Sequence, residues 1–206
     1  MKDFTEIKKE ICFLLVNREA NQEMLEEYPH VEVLDLAMLF YHKRDEGFKA
    51  GGIALICKKD QEKWGVTLAE IYEAASRNTA RLLPSVFQTI ERVIGDIAHE
   101  ENLSINCVVN PRERMYVLTN TEKYFGAGTF LYPDVLKKIR ACLKTEFFVL
   151  PSSIHECIIM MDTGSVTASN LRNLIAEMNG RFLEMDEVLS NQIYRYDSQT
   201  DKLIMT

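Results

Sequence analysis

The chain has 206 residues, 47% hydrophobic and 27% charged, with 24 Lys and Arg against 31 Asp and Glu and a net charge of -7. That is globular usage, long enough to bury a core without disulfides or metal, and it excludes a disordered or fibrous protein. The acidic balance opposes phosphate neutralisation, so no direct nucleic-acid binding is expected: Lys8-Lys9, Lys58-Lys59 and Lys137-Lys138 are only dipeptides.

No run approaches the roughly 18 apolar residues that span a bilayer; Ile11 to Val16 and Ala37 to Tyr41 are the most apolar and are too short. The start, Met1 to Glu6, has mixed charge and no signal-peptide pattern, which predicts a cytoplasmic protein with no membrane role. Cys12, Cys57, Cys107, Cys142 and Cys157 are scattered with no C-x-x-C pair, so they read as small buried residues in a reducing compartment.

Along the chain, Thr5 to Val16 reads as a short helical start. The run Val31 to Leu36 alternates with period near two and turns apolar through Tyr41, as a strand entering a core does. His42 to Gly47 reads as a turn and Gly52 to Cys57 as the returning strand of a hairpin. Thr67 and Glu70 form a capping box ahead of Leu68, Ile71, Tyr72 and Ala75 at helical spacing. Trp64 before Gly65 reads as a packing anchor.

Pro84 is predicted to open a further helix with Val86, Phe87, Ile90, Val93, Ile94 and Ile97 on one face. Ser104 to Val109 and Met115 to Thr119 read as strands about Asn110-Pro111. A loop from Asn120 to Tyr132 leads to Pro133 and a helix carrying Val135, Leu136, Ile139, Cys142 and Leu143. Phe147 to Leu150 and Glu156 to Met161 are predicted strands, and Leu171, Leu174, Ile175 and Met178 a helix ending at Gly180. Ile193 to Tyr196 and Leu203 to Met205 make a closing hairpin. Strands grouped with strands predict an α+β fold, a mixed or antiparallel sheet with amphipathic helices packed on it, over one domain of residues 1–206. Division near 101–112 into two ββα halves stays open, since Val66-Thr67 and Val166-Thr167 each precede an amphipathic helix.

No motif fixes an activity. Gly51-Gly52 and Gly126-Ala127-Gly128 lack the phosphate-loop spacing. His30, His42, His99 and His155 form no zinc-protease pair, no nucleophile elbow occurs, and no cofactor or metal is expected. The densest polar cluster is Leu150-Pro151-Ser152-Ser153-Ile154-His155-Glu156. If extended, it puts Ser153 and His155 on one face and Ser152 and Glu156 on the other. Two readings stand: a turn whose serines bond backbone amides, or a ligand pocket of Ser152, Ser153, His155 and Glu156 completed by Asn120 and Tyr132. Asn191, Tyr194, Tyr196 and Asp197 form an aromatic and polar strip, a sheet face or, if the tyrosines are exposed, a partner interface.

Taken together, Met115 to Asn120, Leu131-Tyr132-Pro133 with Val135-Leu136, Leu150 to Glu156, and Glu187-Val188-Leu189-Ser190 with Tyr194 and Tyr196-Asp197 resemble a clostridial (Firmicutes) family, domain of unknown function 5688. Leu34 to Ala37, Trp64 to Thr67 and Asn78 to Pro84 are similar to the same family. Cys157 and Met161 depart from it, and its members are expected to carry a further N-terminal region that this chain lacks. The resemblance implies a shared fold and a bacterial cytoplasmic setting but assigns no catalytic residue. The expected function is noncatalytic binding or regulation through a protein interface. The alternatives are an enzyme or small-ligand-binding protein at the Ser152 to Glu156 corner, and an acidic inhibitor or decoy of a nucleic-acid-binding protein.

Overall fold

The computed structural model describes residues 3–43, 53–93 and 115–206. In chain order these form α1 (Phe4–Ile7), β1 (Ile11–Asn17), α2 (Gln22–Glu27), β2 (His30–Val33), β3 (Leu36–His42), β4 (Ala54–Leu55), α3 (Lys58–Trp64), α4 (Leu68–Leu82) and β5 (Ser85–Thr89). Then come β6 (Met115–Asn120), a 3-10 helix (Gly126–Leu131), α5 (Val135–Leu143), β7 (Phe147–Leu150), β8 (Cys157–Met161), α6 (Ala168–Phe182), β9 (Tyr194–Asp197) and β10 (Lys202–Met205). The fold is α+β with two antiparallel sheets.

In the first sheet β3 is central, with β1 on one side in the register Phe13↔Phe40 and β2 and β4 on the other. The second sheet runs β10-β9-β7-β8-β6-β5. Phe13, Met38 and Phe40 of the first sheet share one core with Leu118, Phe147, Ile159 and Tyr194 of the second. The alternate residues of β1 and β3, Cys12, Leu14, Leu39 and Tyr41, pack on Leu25 behind the first sheet. Phe148, Leu150 and Met160 likewise receive Leu171 and Ile175 of α6 behind the second.

Burial on both faces explains the first correction. Ile11 to Leu15 is buried at every position, so the period-two signal vanishes and the run, read as the end of a helix, is strand β1. Only Phe4–Ile7 is helical, opened by an Asp3–Glu6 capping box. The free edge of β1 is covered by α4: Thr79 Oγ1 accepts from the Phe13 N–H (3.0 Å), and Asn78 Nδ2 donates to the carbonyls of Ile11 (3.1 Å) and Lys8 (2.7 Å). Side chains of the Asn78 to Arg81 string thus replace part of a neighbouring strand, which keeps that edge from pairing elsewhere.

Three further boundaries differ. Val31 to Tyr41 is two strands joined through Leu34-Asp35, with Leu34 in the left-handed region (φ 58). The helix expected after Pro84 begins as strand β5, because β6 offers it a pairing edge and Phe87 stacks on Tyr116 (4.8 Å); residues 90–93 then turn helical. Gly180 does not end α6, which continues to Phe182 with Gly180 inside it. Thr67 and Thr167 both cap helices, accepting from Glu70 N–H (3.3 Å) and Asn170 N–H (3.2 Å). Trp64 packs on Phe4 (5.8 Å), and Gly65 supplies the left-handed cap of α3 (φ 64).

The expected strand Ser104 to Val109, the turn at Asn110-Pro111, Gly51-Gly52, His99, Cys107 and the division near 101–112 lie outside the described residues, as does most of the His42 to Gly47 turn.

Candidate functional site

Three segments meet at the Ser152 to Glu156 corner between β7 and β8. Ile154 N–H donates to Glu187 O (2.9 Å), Leu189 N–H to Ser152 O (2.9 Å) and Ser190 N–H to Pro151 O (2.9 Å), tying the corner to the segment before β9. On the other side Thr119 Oγ1 donates to His155 O (2.8 Å) and Ala127 N–H to Ile154 O (3.2 Å). Gly126 sits in the seam, where a Cβ would lie 2.2 Å from Thr119 Oγ1 and 2.6 Å from His155 O. Gly128 presses on Phe13 in the same way, at 2.7 Å. The glycines of this loop therefore serve close packing rather than phosphate binding.

The six candidate residues divide. Asn120, fully buried, donates to Tyr124 O (2.9 Å) and accepts from Glu122 N–H (3.0 Å), so its amide shapes the loop after β6. Ser153 is 6% exposed and its Oγ accepts from His155 N–H (3.0 Å). His155 Nδ1 accepts from Phe125 N–H (3.2 Å), its ring lies 4.7 Å from that of Tyr124, and its Nε2 faces Glu187 Oε1 at 3.7 Å. With Nδ1 accepting, the neutral ring carries its proton on Nε2, toward Glu187. These three residues are brought together, by bonds that hold backbone. Ser152 is half-buried and Glu156 exposed at the rim, while Tyr132 lies in the core, edge-on to Phe13 (5.9 Å).

The Ser153 hydroxyl accepts from the His155 backbone N–H, and the His155 ring meets the Phe125 amide and the Glu187 carboxylate, so these two side chains are held on other partners rather than on each other. Among the described residues no group of three or more His, Cys, Asp or Glu could hold a metal ion. Burial pushes the Cys12 thiol up to about 11 and the Cys157 thiol well above its usual range, which removes their nucleophilicity.

A groove of about 410 Å³ opens beside this corner, over the outer face of the first sheet. Leu14, Met24, Leu55, Phe125 and Ile154 line it, and Met185, 94% exposed, stands at its lip with Asp186. Its polar members Asn17 and Asn21 are engaged with the Leu189 and Asn17 carbonyls. None of the six candidate residues lines it, though their neighbours Phe125 and Ile154 do. The sequence carries no motif for this groove, because its lining comes from six separated segments.

The strip before the C-terminus is not an exposed tyrosine interface: Tyr194 is fully buried and Tyr196 2% exposed. The Tyr194 hydroxyl donates to Asp35 Oδ1, and the Ser190 hydroxyl donates to Asp35 Oδ2 (2.6 Å). Burial, then the Asp35 hydrogen bond, raise the Tyr194 phenol far above its ordinary value, so it stays a donor.

Among the described residues no helix is long and apolar enough to cross a membrane. A search of curated proteins and a search of solved structures each return no match. The family model that matches residues 1–198 is described only as a family of unknown function (DUF5688), and the chain belongs to that family.

Proposed function

We propose that this chain is a noncatalytic binding protein that engages another protein through the groove of Leu14, Met24, Leu55, Phe125 and Ile154. The observation that carries this reading is Met185, 94% exposed at the lip of an apolar groove. Apolar surface gathered in a concavity costs free energy until something covers it, and a flexible thioether adapts to the covering side chain. Asp186 on the rim and the net charge of -7 suit a partner segment that is apolar with basic flanks. The polar corner supports the groove: the Phe125 N–H held by His155 and the Ile154 N–H held by Glu187 fix two of its walls.

A bacterial cytoplasmic setting accords with free thiols at Cys12, Cys57, Cys142 and Cys157. The test compares wild type with Met24→Glu and Met185→Glu for partner recovery from cells, with far-UV circular dichroism as the folding control. The reading expects one protein held by wild type and recovered at least tenfold less by both variants. Equal recovery by variants and wild type would end it.

A further inference from the structure

We infer that His155 is a proton-operated latch on the groove: while its ring is neutral it holds the Phe125 wall, and when Nδ1 takes a proton it lets that wall go. The inference rests on the groove reading, since it names the control of the same site. Phe125 N–H donates to the His155 Nδ1 lone pair at 3.2 Å, and Phe125 lines the groove. A neutral imidazole has one such lone pair, whereas the imidazolium has none and presents an N–H in its place. A proton and the Phe125 amide therefore compete for one position, and linkage makes the competition reciprocal.

The two sides of the latch are held with different firmness. His155 O accepts from Thr119 Oγ1 (2.8 Å) and His155 N–H donates to Ser153 Oγ (3.0 Å), so the backbone that carries the ring is fixed. Phe125 has φ 51, in the left-handed region, where a Cβ costs energy that the His155 bond helps to offset. Loss of that bond thus moves Phe125 rather than His155. The charged ring is itself stabilised where it stands: Nε2 faces Glu187 Oε1 at 3.7 Å, and the Tyr124 ring lies 4.7 Å away. Glu156, the next residue, adds its charge, and Lys123 on the loop after β6 offsets Glu156. The sign follows. The wall is complete while the imidazole is neutral, and its hold on a partner is lost as pH falls across the range in which imidazoles charge, from about 8 to about 5.

Nuclear magnetic resonance of the full chain, titrated over that range with no partner present, tests this. The His155 ring nitrogens and the Phe125 amide should titrate with one midpoint, and the exchange protection of that amide should fall at least tenfold across it. Glu187→Gln removes the facing carboxylate but keeps the Glu187 backbone carbonyl that holds Ile154 N–H, so both midpoints should move together to lower pH. A Phe125 amide that keeps its shift and protection while His155 charges overturns the inference. So does a His155 ring that stays neutral throughout, or a midpoint of either group that Glu187→Gln leaves in place. A partner held at the groove should be released over the same midpoint, and retention through it also contradicts the latch. The titration needs no partner, so the groove reading and this one fail separately.

Discussion

The Tyr194 hydroxyl in β9 donates to the Asp35 carboxylate in the β2–β3 turn, joining the second sheet to the first across 159 residues of sequence. The same carboxylate accepts from Ser190 (2.6 Å), and Arg18 N–H donates to Asp35 O (3.2 Å), so one aspartate anchors a turn that Leu34 holds in the left-handed region. A hydrogen bond to a charged group contributes about 1.5–3 kcal/mol. Tyr194→Phe should therefore lower stability by about that much in urea denaturation, and a cycle with Ser190→Ala should show coupling, since both donate to one acceptor.

His155→Ala separates a positioning role from a catalytic one. Removing the ring leaves Phe125 N–H without its acceptor and strips one aromatic contact from Tyr124. A cost of about 1–3 kcal/mol is expected by chemical denaturation. A group kept for activity at the expense of stability leaves the fold as stable or more stable when removed, so a neutral or stabilising result would contradict the supporting role assigned here.

Two glycines should respond with opposite sign. Gly126→Ala forces a Cβ against the backbone oxygen of His155 and the Thr119 hydroxyl, and should cost about 1–3 kcal/mol or more as an overpacked seam. Gly180→Ala adds a methyl in open space inside α6 and should stabilise by about 0.5–1 kcal/mol. Thermal melts of the two variants read both effects.

Stability should fall in acid partly through the β9–β10 turn. Hydrogen bonds from Lys137 and then Tyr196 lower the Asp201 pKa, and bonds from Thr200 and Gln199 lower that of Asp197. A carboxylate whose pKa is lower folded than unfolded contributes stability above its unfolded value and loses it as pH falls through the folded one. The loss thus lies below about pH 4. Asp201→Asn should lower the melting temperature near neutrality, where the carboxylate contributes, and flatten that acid limb of a pH series of melts.

The sequence exposes elements that show one face to a core and another to solvent. The capped helix α4, the helix after Pro133 and the strands from Phe147 to Met161 lie close to where periodicity puts them. Strand β1 was illegible because both its faces are buried, and β5 because Val86, Phe87 and Ile90 fit a helix as well as an edge strand. The Leu34-Asp35 turn carries no glycine or asparagine, so nothing local announces it. At the candidate site the cluster Ser152 to Glu156 stood out, but what its polar groups do depends on amides from Phe125 and a carboxylate from Glu187. The groove has no local pattern at all: Leu14, Met24, Leu55, Phe125 and Met185 meet only once both sheets are formed.

Site-specific photo-cross-linking in cells tests the groove most directly. A photoreactive residue at Met185 should capture a protein partner, and one at Glu156, exposed on the neighbouring rim, should capture far less. Capture at Glu156 with none at Met185 would contradict the account.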